Sequence, residues 1–232
     1  MDRLRTGVIG LDKILHGGLP RGSVSIVVGP AGSGKSILGL QFLLEAVFYK
    51  KPAILVDTSD LIPALKQTVE EFGRDPAILA LIERLDCYSW RTGTKSPLRF
   101  SANPNNLPDL SISLSKTIDE LAITAPSNCR LVFDSFSDVV LHSSDYMKFL
   151  PTLRGKLSKA GITGMILLES GMHDNKTIST IEHESDGTIS LKADESGRAM
   201  MVRRMMATPT EMRWAPYKIS RGMEVRAEAF FD

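Results

Sequence analysis

One eight-residue run constrains this chain more than any other part of it. Gly29-Pro30-Ala31-Gly32-Ser33-Gly34-Lys35-Ser36 follows the G-x-x-x-x-G-K-[ST] pattern without deviation. The glycines of that pattern let backbone N–H groups turn inward around phosphate oxygens; the lysine brings its charge to the β- and γ-phosphates, and the following hydroxyl is a magnesium ligand. A glycine-rich turn can also arise by chance, but the flanks argue against that. Val24 to Val28 is a short β-branched run, and Ile37 to Val47 is a long apolar stretch without strand periodicity, so the run joins a strand to a helix. The expected phosphate-binding residues are Gly29, Pro30, Ala31, Gly32, Ser33, Gly34, Lys35 and Ser36, with Ile37 next on the helix. The expected ligands are ATP, turned over to ADP, and Mg²⁺ at Ser36.

The rest of the chain supplies the strands and helices such a loop needs. Ala53 to Val56 reads as a second strand, and Leu61, Leu65, Val69 and Phe72 as an amphipathic helix ended by Gly73. Asp75-Pro76 opens another short helix expected to reach Leu85. Trp90 to Pro108, rich in Gly, Ser, Asn and Pro, reads as a long functional or mobile loop. Helix resumes from Asp109, and Leu131-Val132-Phe133-Asp134 is a third strand that ends in a carboxylate, the expected magnesium-side acid. Tyr146, Leu150, Leu153 and Leu157 mark a helical region in which Pro151 implies a kink or two short helices. Met165 to Leu168 is a fourth strand, and from Thr188 onward four mixed runs read as antiparallel strands closing one end of the sheet. The expected fold is α/β: a mainly parallel sheet flanked by helices, with antiparallel C-terminal strands.

At 232 residues the chain fits one domain, 1–232, since single cores grow to about 250 residues before chains divide. A formal charge of +1 with scattered positive residues gives no footprint for nucleic acid or an anionic membrane. No apolar run approaches the ~20 residues of a membrane span, and the N-terminus lacks a signal-peptide core, so a cytoplasmic location is expected. Cys87 and Cys129 read as small buried residues, and His16, His142, His173 and His183 lack zinc-ligand spacing.

The opening residues carry a resemblance. Thr6-Gly7-Val8-Ile9-Gly10-Leu11-Asp12, then Gly17-Gly18-Leu19-Pro20-Arg21-Gly22-Ser23, lead directly into the phosphate loop, and this resembles the KaiC-like and RadA-like ATPases of the RecA superfamily, whose short archaeal single-domain members are similar in length. The resemblance covers essentially the whole chain and implies a RecA-like P-loop core, with Asp134-Ser135 similar to the family's Walker B end. It also implies paired glutamates after the second strand to polarise the attacking water. Here Ser59 and Asp60 stand at those positions.

Asp60 is therefore the candidate catalytic acid, and its competing structural role is to N-cap a helix starting at Leu61. Glu169, at the end of the fourth strand where RecA-like proteins carry a γ-phosphate sensor, is the substitute base, and Lys35 completes the catalytic set. The family's hexamers insert a Lys-Met-Arg-Gly-Thr segment into a neighbouring site. The corresponding Arg204-Met205-Met206-Ala207-Thr208 keeps a cation only at Arg204, and a solvated strand face is the plain alternative for Arg203 and Arg204. In Ser170 to Asp186, which matches the DNA-contacting region of recombinases, Lys176 is outnumbered by Asp174, Glu182, Glu184 and Asp186.

The leading expectation is an ATP-binding protein with weak Mg-dependent hydrolysis and a regulatory or signalling role, acting as a homo-oligomer, a hexamer in the family, or on a protein partner. A non-hydrolysing, nucleotide-stabilised interaction module and a DNA-repair accessory are the alternatives.

Overall fold

The structure is a computed structural model and describes residues 2–122 and 128–228. Strands β1 (Arg3–Leu4) and β2 (Leu19–Pro20) pair antiparallel around helix α1 (Ile9–Ile14). Then follow β3 (Val24–Gly29), α2 (Lys35–Phe48), β4 (Ala53–Asp57), α3 (Ile62–Glu71), a 3-10 turn (Pro76–Leu81), β5 (Glu83–Asp86), α4 (Tyr88–Arg91), β6 (Phe100–Ser101) and α5 (Leu107–Ala122). The second half contains β7 (Arg130–Asp134), α6 (Phe136–His142), α7 (Tyr146–Lys159), β8 (Thr163–Glu169), α8 (Asn175–His183), β9 (Gly187–Asp194), β10 (Gly197–Met205), β11 (Ala215–Ile219) and β12 (Met223–Val225).

The main sheet has ten strands in the order β12-β11-β10-β9-β3-β8-β7-β4-β5-β6. From β9 to β6 every neighbouring pair is parallel, whereas β10, β11 and β12 alternate antiparallel. Both faces of the parallel part are covered, and the strand period of two sorts the side chains between them. Val27, Leu55, Val132 and Leu167 join α1, α2 and α3 in one core. Ile26, Ile54, Phe133 and Ile166 join α5, α6 and α7 in the other. Gly39 lets α2 lie close on the sheet: a Cβ there would sit 2.9 Å from Val132 Cγ1.

Expectation and structure part at four places. The segment expected to be helical to Leu85 stops at Leu81 and becomes β5, in which only Leu85 and Asp86 are buried, so no apolar run announces it. The expected loop from Trp90 to Pro108 contains the end of α4 and the two-residue β6, and α5 starts at Leu107, with Pro108 in the first turn, where a missing N–H costs nothing. Of the two alternatives at Pro151, a kink or two short helices, the second does not hold: α7 runs as one helix through it, with Leu150, Leu153 and Leu157 all buried along it. β9 is antiparallel to β10 as expected but parallel to β3, which places the closing strands beside the phosphate loop. Cys87 and Cys129 are buried as expected, and burial pushes both thiols up, that of Cys129 to about 12.

Candidate nucleotide site

The loop from Gly29 to Ser36 connects the central strand β3 to the N-terminus of α2. Gly34 is the N-cap, with φ 85° and no side-chain cap, so the first amides of α2 are left to an external acceptor. That left-handed conformation favours glycine, and a Cβ there would also sit 2.7 Å from Ile219 Cδ1. The C-terminal strands thus back the loop directly. The Tyr217 hydroxyl donates to the Ser33 carbonyl, and the Ser33 hydroxyl donates to the Pro30 carbonyl at 2.7 Å.

Lys35 is only 9% exposed. Its Nζ donates to the carbonyls of Gly29 (2.9 Å) and Pro30 (2.8 Å) and lies 3.8 Å from Glu169 Oε2. Burial lowers its pKa, while Glu169 and then Asp134 oppose that shift. The Glu169 amide donates to Ser137 Oγ at 2.8 Å, which ties the end of β8 to α6.

Asp134, at the end of β7, accepts a hydrogen bond from the Ser36 hydroxyl. Burial, helped by nearby Asp57, pushes its pKa up to about 6 against the pull of that bond. A buried, under-neutralised carboxylate bonded to a hydroxyl suits a divalent cation. No group of three or more His, Cys, Asp or Glu side chains able to hold a metal occurs among the described residues. Magnesium would therefore take Ser36 and Asp134 from the protein and its other ligands from phosphate and water, its usual preference. Once bound, it would neutralise charge on the phosphates.

Asp57 carries no motif in the sequence, where the expected strand stops at Val56, one residue short of it. It is fully buried and in register with Asp134 on one side and Asp86 on the other. Its carboxylate accepts the amides of Ser59 (3.1 Å) and Leu61 (3.2 Å) and pairs with Arg84 at 3.3 Å. Asp57, not Asp60, therefore holds the turn before α3. The expected N-cap role of Asp60 is corrected: the N-cap residue is Leu61, without a side-chain cap bond. Asp60 itself is exposed, in a left-handed conformation with φ 52°.

A cavity of about 600 Å³ opens over these groups. Ala31, Gly32, Gly34, Lys35, Ser36, Ile37, Asp134 and Glu169 all line it, joined by Ser59, Leu61, Ser135, Arg198 and Ile219, whereas Asp60 does not. Gly29, Pro30 and Ser33 are not among its lining residues; the carbonyls of Gly29 and Pro30 hold Lys35, and that of Ser33 holds Tyr217. Arg198 and Ile219 carry no motif and become visible only when β10 and β11 fold beside the loop. Arg203 and Arg204 are neither free nor simply solvated. Arg203 pairs with Glu182 at 3.0 Å, and Arg204 donates to the carbonyls of Glu182 and Ser185, at the negative end of α8.

A strand, a glycine-rich loop and a helix with a buried lysine, together with an acid at the end of the parallel strand β7, one strand removed across β8, define a P-loop protein with a RecA-like core. The model of the KaiC ATPase family matches residues 4–228. The chain belongs to that family. It is 28% identical to a UPF0273 protein of Methanocaldococcus jannaschii, over 95% of this chain and 94% of that one. A UPF0273 protein of Methanopyrus kandleri is 24% identical over 100% of this chain and 94% of its own. Among solved structures, a KaiC-like protein of Pyrococcus horikoshii OT3 superposes with a TM-score of 0.72, covering 97% of this chain and 99% of that one at 23% identity, and so shares the fold. No helix among the described residues is long and apolar enough to cross a membrane.

Proposed function

We propose that the chain, acting as one domain over 1–232, binds Mg·ATP in this cavity and hydrolyses it slowly, as a cytoplasmic regulatory ATPase whose nucleotide state alters its own assembly or its hold on a protein partner. The observation that carries this reading is the convergence of Lys35, Ser36 and Asp134 on one cavity. Lys35 would exchange its carbonyl acceptors for phosphate oxygens, the α2 amides would face the phosphates, and Ser36 with Asp134 would hold magnesium. Glu169, beside the lysine, suits the sensing of the terminal phosphate, and its place on the cavity wall favours it over Asp60.

Two observations support the qualifier slow. Ser59 stands where the resemblance implies a glutamate, and Arg204 is held by its own chain. Both also favour the second reading, in which ATP is a structural ligand that is never cleaved. Overnight incubation with Mg·ATP, chromatography of the nucleotides and light scattering of the protein test the two together. ADP accumulating above a Lys35→Ala control supports the enzyme, and intact bound ATP supports the module. No binding in calorimetry rejects both.

A further inference from the structure

The turn after β4 presents a hydroxyl, Ser59, to the cavity, and a carboxylate from a different element stands behind it. Asp138 lies in the first turn of α6 and is 13% exposed. Its Oδ2 gathers the Thr58 hydroxyl, the Ser59 hydroxyl at 3.4 Å and Arg91 Nη1 at 2.9 Å. The Arg91 guanidinium also donates to the Thr58 carbonyl at 2.9 Å, so the carboxylate and the turn are clamped by one group.

The two hydroxyls are not equivalent. Thr58 Oγ1 donates to Asp138, accepts the Ser135 amide at 2.8 Å and lies 3.3 Å from Ser59 Oγ, so it is held on three sides within the fold. Ser59 lines the cavity, and its hydroxyl can donate to Asp138 Oδ2 at 3.4 Å. The other acids of the site are engaged elsewhere: Asp57 with two amides and Arg84, Asp134 with Ser36, and Glu169 with Lys35.

We propose that Ser59 and Asp138 form a relay that accepts the proton of the attacking water when the terminal phosphoanhydride is cleaved, Ser59 facing the water and Asp138 acting through it as a positioning residue. This rests on the slow-hydrolysis reading above. The water oxygen bonds to the γ-phosphorus, and the bond to the β,γ-bridging oxygen breaks, its electron pair leaving on ADP. One water proton passes to Ser59 Oγ as the Ser59 hydroxyl proton passes to Asp138 Oδ2; the other stays on the phosphate. Asp138 then returns its proton to solvent through Ser59. The 3.4 Å contact has to tighten in the reactive complex, as catalytic hydrogen bonds commonly do, and this makes turnover slow.

The test is steady-state phosphate release from Mg·ATP by wild type, Ser59→Ala, Asp138→Asn and the double variant, against a Lys35→Ala background, with ATP affinity measured by calorimetry for each. Each single change should lower kcat by ~10²-fold at unchanged affinity. The double variant should be no slower than the slower single, because both remove the same path, and Ser59→Thr should keep most of the rate. Turnover at the wild-type rate in Ser59→Ala, or a double variant whose loss is the product of the two singles, overturns the relay and leaves the hydrolysis reading standing. Wild-type release no faster than the Lys35→Ala background, with ATP bound, overturns both. If Asp138→Asn does not fold, the exposed Ser59→Ala change decides alone.

Discussion

Lys35 shows how much one residue carries here. Buried, and with two carbonyl acceptors, it is the sole cation among the loop residues 29–36. Lys35→Ala should keep its fold by circular dichroism yet lose roughly 3 kcal/mol of ATP binding, about 10² in affinity by calorimetry, the size of a lost charge-assisted contact. Asp134 gives a prediction with a sign. Its folded-state pKa of about 6 exceeds the ordinary 3.8, so the folded protein holds the proton more tightly than the unfolded chain. That contribution is complete below about pH 4 and is lost as pH rises through about 6. Ionised Asp134 should then cost the nucleotide-free protein on the order of 3 kcal/mol at pH 7.5. Asp134→Asn should melt higher than wild type at pH 7.5, with no gain at pH 4, while losing Mg-dependent ATP affinity; equal melting at pH 7.5 would refute the burial argument. For the two acids considered from sequence, Glu169→Gln should change phosphate release and Asp60→Asn should not, since only the first lines the cavity.

Among elements, those legible in advance had a local cause. β3, β4, β7 and β8 are apolar buried runs, α2 is a long apolar stretch without strand alternation, and α3 and α5 repeat apolar residues at helical spacing. β5 was illegible because Glu83 and Arg84 interrupt it, and its place is set by pairing with β4 and β6 rather than by its own side chains. The same distinction divides the site. Lys35, Ser36 and Asp134 lie in local motifs, whereas Asp57, Asp138 and Arg198 matter through neighbours distant in sequence. One contact between elements gives its own test. At Gly10, in α1, a Cβ would sit 2.1 Å from the Val225 carbonyl of β12, a backbone atom that cannot swing aside. Gly10→Ala should destabilise the fold by about 1–3 kcal/mol in urea titration. It should also weaken ATP binding, because β11, paired with β12, supplies Ile219 to the cavity.

For the whole molecule, nucleotide should act as a stabilising ligand. At a hundred times its Kd, ATP with magnesium should add about 2.7 kcal/mol, a rise of roughly 5–10 °C in melting temperature that Lys35→Ala fails to show. Nucleic acid offers no comparable term. The net charge is +1, and α8, in the segment that would meet DNA, is tied through Glu182 to Arg203 and Arg204, which removes two of the nearest cations. Single-stranded DNA should give no salt-dependent anisotropy change at low ionic strength; a steep slope would count phosphates engaged and reopen that reading. The ammonium docked on the Gly29 and Pro30 carbonyls has a consequence for how the loop keeps its shape. A buried charge without acceptors would press the loop to close over it or to unravel. Parked on its own backbone, the lysine leaves the mouth of the cavity standing ready, and an arriving triphosphate has only to trade two neutral oxygens for stronger anionic ones.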